Sequence, residues 1–110
     1  MSDQEWKLVY FVTQHQRIPF REWFELLRDF KARVIIDARI ARLRTGNFGS
    51  SQPVGQSVFE LKIDYGPGYR VYFGKITGNV IILLCGGDKS TQKKDIQTAQ
   101  WYWQWFKEKN

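Results

Sequence analysis

Apolar and polar positions change their spacing several times along the chain, and each change marks an element. Leu8 to Val12 (LVYFV) is continuously apolar and predicts a buried strand. The polar QHQRI that follows ends at Pro19, a residue suited to the first turn of a helix. From there Phe20, Trp23, Phe24 and Leu27 recur at i, i+3, i+4 and i+7, which is one helical face. Asp29 either ends that helix or caps a second one, whose stripe is Ile36, Ile40 and Leu43. Lys31, Arg33, Arg39, Arg42 and Arg44 occupy its other faces. A helical hairpin and a single kinked helix both fit this spacing.

Thr45 to Ser57 (TGNFGSSQPVGQS) reads as a loop. Alternation with period two then begins. VFELKID (Val58 to Asp64), YRVYFGKI (Tyr69 to Ile76) and VIILLC (Val80 to Cys85) predict three strands separated by YGPG and by the turn at Thr77-Gly78-Asn79. Consecutive strands on short turns predict an antiparallel meander. GGDKST ends the third strand, and Asp88 or Ser90 caps a final helix from about residue 91, with Lys107 and Lys109 near its C-terminus. The order strand, helices, three strands, helix is an α+β sandwich in one domain spanning residues 1–110.

The hairpin makes a demand on register. Phe59, Leu61 and Ile63 must share a face with Tyr69, Val71 and Phe73, because a one-residue slip would move the apolar set to the wrong side. A four-residue loop would set Ile63 against Arg70, so a three- or five-residue loop or a bulge is required. Lys62 then opposes Arg70 or Tyr72, and Glu60, Lys62, Arg70 and Tyr72 form one polar cluster. The plain reading of that cluster is a solvated sheet face with cross-strand ion pairs.

Composition narrows the class. The chain has 110 residues, 16% aromatic, so it can fold around a modest core. The net charge of +6 fits an anionic partner. The single cysteine, Cys85, cannot form an internal disulfide, no secretory leader is visible, and VIILLC is too short to span a bilayer. A cytoplasmic protein without a membrane partner is expected.

Three segments, ELxI at 60–63, GPGYRVYF at 66–73 and GGDKSTQxxDI at 86–96, resemble the HigB-like branch of the RelE/ParE toxin superfamily. The EWF helix and RLRTGNFG fit as well. The resemblance implies a RelE-like α+β fold: an N-terminal strand, a helical hairpin, an antiparallel three-strand meander and a C-terminal helix. It also implies the toxin of a type II toxin–antitoxin module, an mRNA interferase that inhibits translation by ribosome-dependent cleavage and is neutralised by an antitoxin of helix-turn-helix type. Lys62 departs from that pattern, where arginine is more usual; charge is kept but the bidentate fork is lost.

Cleavage of RNA by its own 2′-hydroxyl needs a base, cations for the dianionic phosphorane and an acid for the leaving 5′-oxygen. Arg70 is the candidate for gripping the phosphate, because its planar fork matches two oxygens. Lys62 and Lys89 are candidates for charge stabilisation or proton transfer. Glu60 could act as a base or orient Arg70, and Tyr72 could donate a hydrogen bond or stack on a base. Gln92 could reach the substrate from the last helix, and Arg39 and Arg42 could add phosphate contacts. No metal and no cofactor are expected, since no His/Cys/carboxylate cluster has ligand spacing. GGDKSTQ lacks P-loop spacing and reads otherwise as a capped strand-to-helix turn.

Two features fall outside that chemistry. His15 stands in a polar loop and reads as an ordinary surface histidine. The tail WYWQWF spreads its rings too widely for one packing face, so most of it should be core while one tryptophan meets an antitoxin or a second protomer. A non-enzymatic ParE-like inhibitor of DNA gyrase is the rival function, and the cationic cluster is what separates the two, since fold does not.

Overall fold

A computed structural model describes residues 5–110. The elements are β1 (Lys7–Tyr10), α1 (Pro19–Leu26), α2 (Phe30–Leu43), β2 (Ser51–Pro53), β3 (Phe59–Ile63), β4 (Tyr69–Ile76), β5 (Val80–Asp88), a 3-10 turn (Lys89–Thr91) and α3 (Gln92–Lys109). They build an α+β protein around one five-stranded sheet of order β1-β5-β4-β3-β2. The meander β3-β4-β5 is present, but two further strands extend it. β1 joins parallel to β5, and β2, lying inside the stretch read as a loop, pairs antiparallel with β3. At three residues ending in proline, β2 is too short to produce a period.

Pro19 opens α1 as expected, and the Asp29 side chain accepts from the Ala32 amide at 3.1 Å to start α2, so the helices form a hairpin. The hairpin covers one face of the sheet: Phe20, Ala32, Ile36, Ile40 and Leu43 pack on Leu61, Ile63, Tyr69, Val71, Phe73, Ile81 and Leu83. α3 covers the other face, packing Ala99 and Trp103 on Val58, Tyr72, Ile82, Leu84 and Cys85. The result is three layers. β1 is not a buried strand: it lies at the sheet edge with Val9 and Tyr10 exposed, and burial comes only at Phe11 beyond it. Among the described residues no helix is long and apolar enough to cross a membrane.

The β3–β4 register follows the apolar parity. Ile63 pairs with Tyr69, Lys62 with Arg70 and Glu60 with Tyr72, around the five-residue loop 64–68. A bulge between Tyr72 and Phe73 shifts the pairing with β5, so Leu84 and Cys85, although adjacent, both serve the α3 side. β5 does not stop at Cys85 but continues through Gly86, Gly87 and Asp88. Both glycines admit close contacts. A methyl group on Gly86 would strike the Trp23 ring of α1, and one on Gly87 would strike the Asp95 carboxylate of α3.

Lys75 fastens the periphery of the hairpin side. Its Nζ stands 4.3 Å from the Phe59 ring centre, 4.4 Å from Phe48 and 6.0 Å from Trp6. Substituting Lys75→Met, which keeps the stem and removes the charge, is expected to cost about 1–2 kcal/mol in urea unfolding. An unchanged midpoint would show that the rings hold only the aliphatic stem.

Candidate anion-binding site

The polar face of the hairpin neither lies open nor is uniformly buried. Glu60 and Tyr72 are 0% exposed, Arg70 is 5% exposed, and Lys62 at the strand end is exposed. The first turn of α3 makes the difference, because its Gln92 side chain reaches over to β3. Gln92 Nε2 donates to Glu60 Oε2 at 2.9 Å, and the Tyr72 hydroxyl donates to the same oxygen at 3.0 Å. Arg70 Nε lies 3.9 Å from that oxygen, a charge pair without a hydrogen bond. Its Nη1 donates to the Gly68 carbonyl at 2.8 Å. Glu60 Oε1 and Arg70 Nε are buried without hydrogen-bond partners.

The guanidinium is thus held from two sides, by a loop carbonyl and by a carboxylate that two neutral donors keep in place. Such a fork meets an anion already oriented, and it does so in surroundings that strengthen charge interactions. Lys62 is its direct cross-strand neighbour. Lys89 follows Asp88 in the 3-10 turn, whose start is fixed by Asp88 Oδ1 accepting from the Ser90 amide at 2.8 Å. Arg70 Nη1 and Lys89 Cβ lie 3.1 and 3.7 Å from the single point where a Gly68 Cβ would sit, so Lys89 stands beside the fork. That point is empty because Gly68 has φ of +81°, a conformation glycine takes without strain. Two exposed lysines, one the cross-strand partner of Arg70 and one with its Cβ near the fork, therefore neighbour one nearly buried guanidinium at the end of the sheet.

The other sequence candidates divide. Glu60 and Tyr72 are closed to solvent in this arrangement, with no ring face of Tyr72 open for stacking on a base. Burial, and then the Glu60 carboxylate, hold the Tyr72 hydroxyl far above its ordinary pKa, so it stays protonated and donating. Gln92 spends its amide on Glu60. Arg39 and Arg42 lie on the α2 side, where Arg39 Nη2 donates to the Lys62 carbonyl at 3.1 Å, and both line a small cleft near Ser50. They border the site around the sheet edge and do not enter it. Asp95 was absent from the sequence candidates. It packs on Gly87, accepts from Thr91 Oγ1 at 2.6 Å, and has its pKa raised by burial. A glycine in a strand facing an acid one turn into a helix was the available signal. Among the described residues no three His, Cys, Asp or Glu side chains gather where they could hold a metal ion.

Cys85 lies beneath α3, and burial raises its thiol pKa well above the usual range. At neutral pH the native protein is expected to resist an aromatic disulfide reagent and to react fully once unfolded in guanidinium. Fast labelling of the folded chain would mean that α3 opens readily.

Fold and site together define a small three-layer α+β protein with a nearly buried arginine beside two exposed lysines at one end of its sheet. No protein-family model matches the chain. An uncharacterized protein of Haemophilus influenzae (strain ATCC 51907 / DSM 11121 / KW20 / Rd) is 51% identical to it over 83 residues, which is 76% of this chain and 84% of that protein. The chain belongs to the same family as that Haemophilus protein.

Proposed function

We propose that the chain is the toxin of a type II toxin–antitoxin module, with a RelE/HigB-like fold, and that it cleaves mRNA on the ribosome. The observation that carries this reading is the nearly buried Arg70 guanidinium, held by Glu60 and Gly68 and neighboured by the exposed Lys62 and Lys89. A site that receives a phosphodiester needs such an arrangement, whereas a surface that binds a protein has no evident need of it.

In the proposed step the ribose 2′-oxygen bonds to phosphorus and the 5′-oxygen leaves. A 2′,3′-cyclic phosphate and a 5′-hydroxyl result. The 2′-proton passes to a base and another proton reaches the 5′-oxygen, so the charge is conserved. Arg70 grips the non-bridging oxygens as they gain charge. Lys62 and Lys89, its exposed neighbours, stabilise that charge and are the candidates for the proton transfers. Glu60, Tyr72 and Gln92 keep the fork aimed. An antitoxin of helix-turn-helix type is the proposed partner that silences the protein.

The test is induction in growing cells with mapping of mRNA 5′ ends, beside an Arg70→Ala strain. New ends that require both translation and Arg70 are expected. Toxicity with intact mRNA and broken DNA would replace this reading with gyrase inhibition of the ParE-like kind.

A further inference from the structure

Two features of the sequence that the cationic site leaves unused meet elsewhere in the fold. The aromatic tail splits: Trp103 is buried in the core, while Trp101 is 65% exposed. Trp101, Tyr102 and Trp105, together with Phe11 at the end of β1, wall a cavity of about 350 Å³. The turn after β1 closes its remaining side with Gln14 and His15. That turn is built rather than loose, because Thr13 Oγ1 accepts from the amides of His15 at 3.3 Å and Arg17 at 3.1 Å. The histidine without an evident partner and the over-wide aromatic arc thus form one pocket.

The rings pack against one another at mutual angles along one wall of the cavity. Phe11 and Tyr102 lie 4.8 Å apart at 32°, Phe11 and Trp105 lie 5.9 Å apart at 83°, and Trp101 and Tyr102 lie 5.8 Å apart at 56°. A concave, ring-walled space with a few polar groups along one side suits a flat heteroaromatic ligand. Charges of both signs lie near its walls: Lys109 Nζ stands 5.9 Å from the Trp105 ring centre, and the paired Arg17 and Glu22 lie near Tyr102. A cation also lies along the same helix, on the face of α3 turned away from Gln92. Lys94, Thr98, Trp101 and Trp105 fall at i, i+4, i+7 and i+11 on α3, one helical stripe, and Lys94 and Trp101 are roughly 10 Å apart along the axis.

We propose that this pocket takes a nucleobase of a single-stranded RNA that runs along α3, with a backbone phosphate near Lys94. The inference rests on the RNA-cleaving function proposed above and adds a second contact for the same strand. Stacking on the indoles supplies affinity with little regard to sequence, while Gln14 and His15 stand where base edges can be read.

The probe is a labelled 2′-O-methyl hexanucleotide, which cannot be cleaved, bound to the full chain and followed by fluorescence anisotropy. Trp101→Ala, at an exposed position, is expected to fold normally and to weaken binding about 10-fold, with a smaller loss for His15→Ala. Separately, AMP added to the isotopically labelled wild type should move the indole N–H resonances of Trp101 and Trp105. Equal affinity of wild type and Trp101→Ala, or indole signals that AMP does not move, overturns the pocket. So does concentration-dependent self-association that Trp101→Ala abolishes, since the pocket would then belong to a contact between copies. If no mRNA is cleaved but AMP still moves the indoles, the nuclease reading fails alone. If cleavage requires Arg70 while the indoles stay silent, the pocket fails alone.

Discussion

Arg70→Ala is expected to lower the proposed mRNA cleavage by about 100- to 1,000-fold, the usual loss when one preorganised donor to a developing charge is removed. The figure applies to the chemical step only if the variant folds, and alanine leaves the Glu60 carboxylate buried without its counter-charge. Arg70→Lys therefore belongs beside it. Lysine keeps the charge and offers a point donor in place of a planar fork, so it should fold close to normally and still lose most of the activity. Lys62→Ala and Lys89→Ala, both at exposed positions, should reduce cleavage while leaving the melting temperature within about 2 °C of the parent, since exposed charges contribute little to stability. A folded Arg70→Lys protein that cleaves as fast as the parent would remove the fork from the mechanism, leaving only its charge.

The second large effect concerns stability. Glu60→Leu is expected to cost about 3–5 kcal/mol in urea unfolding, because it strands the Arg70 guanidinium in a site that is almost closed to water. The Tyr72 hydroxyl and the Gln92 amide lose their shared acceptor at the same time, and an unsatisfied buried donor is itself costly. Combining Glu60→Leu with Arg70→Met should restore most of the loss, since a packed apolar pair needs no compensation. The cycle isolates what the pair contributes. If the double variant is as unstable as the sum of the singles, the destabilisation arises from Tyr72 and Gln92 and not from the stranded charge.

These two expectations depend on how the polar residues of β3 and β4 are covered, and there pattern and structure part company. The register of the hairpin was legible from alternation. Setting Ile63 against Arg70 would have placed charge among the apolar residues, and the five-residue loop 64–68 avoids it. The capped start of α2 at Asp29 and the opening of α1 at Pro19 were legible for a similar reason, since each is fixed by side chains within one turn.

The glycines of GGD read as a turn, yet they belong to β5. The role of Gly86 is set by Trp23, which arrives from a helix far away in the sequence, and that of Gly87 by Asp95 of the helix that follows. β1 misled in the opposite direction: continuous apolar residues suggest a buried strand, but its place at the sheet edge is decided by pairing with β5. β2 left almost no trace, being three residues held by β3.

By itself the sequence determined the local periods, the helix start at Pro19, the parity that puts Glu60, Lys62, Arg70 and Tyr72 on one face, and the net positive charge. The cap expected for the final helix is different, since Asp88 caps the 3-10 turn and α3 starts at Gln92 without a side-chain cap. Side-chain alternation and hydrogen bonds within a turn need only near neighbours, so a single sequence contains them. Tertiary structure alone decided which of those four residues meets water. α3 packs over β5 and β4 and reaches β3 through Gln92, so Glu60 and Tyr72 are buried while Lys62 stays exposed, with only an edge of Arg70 at the surface. Burial of a polar group depends on what packs over it, and that is settled by contacts between segments some thirty residues apart, such as Gln92 with Glu60.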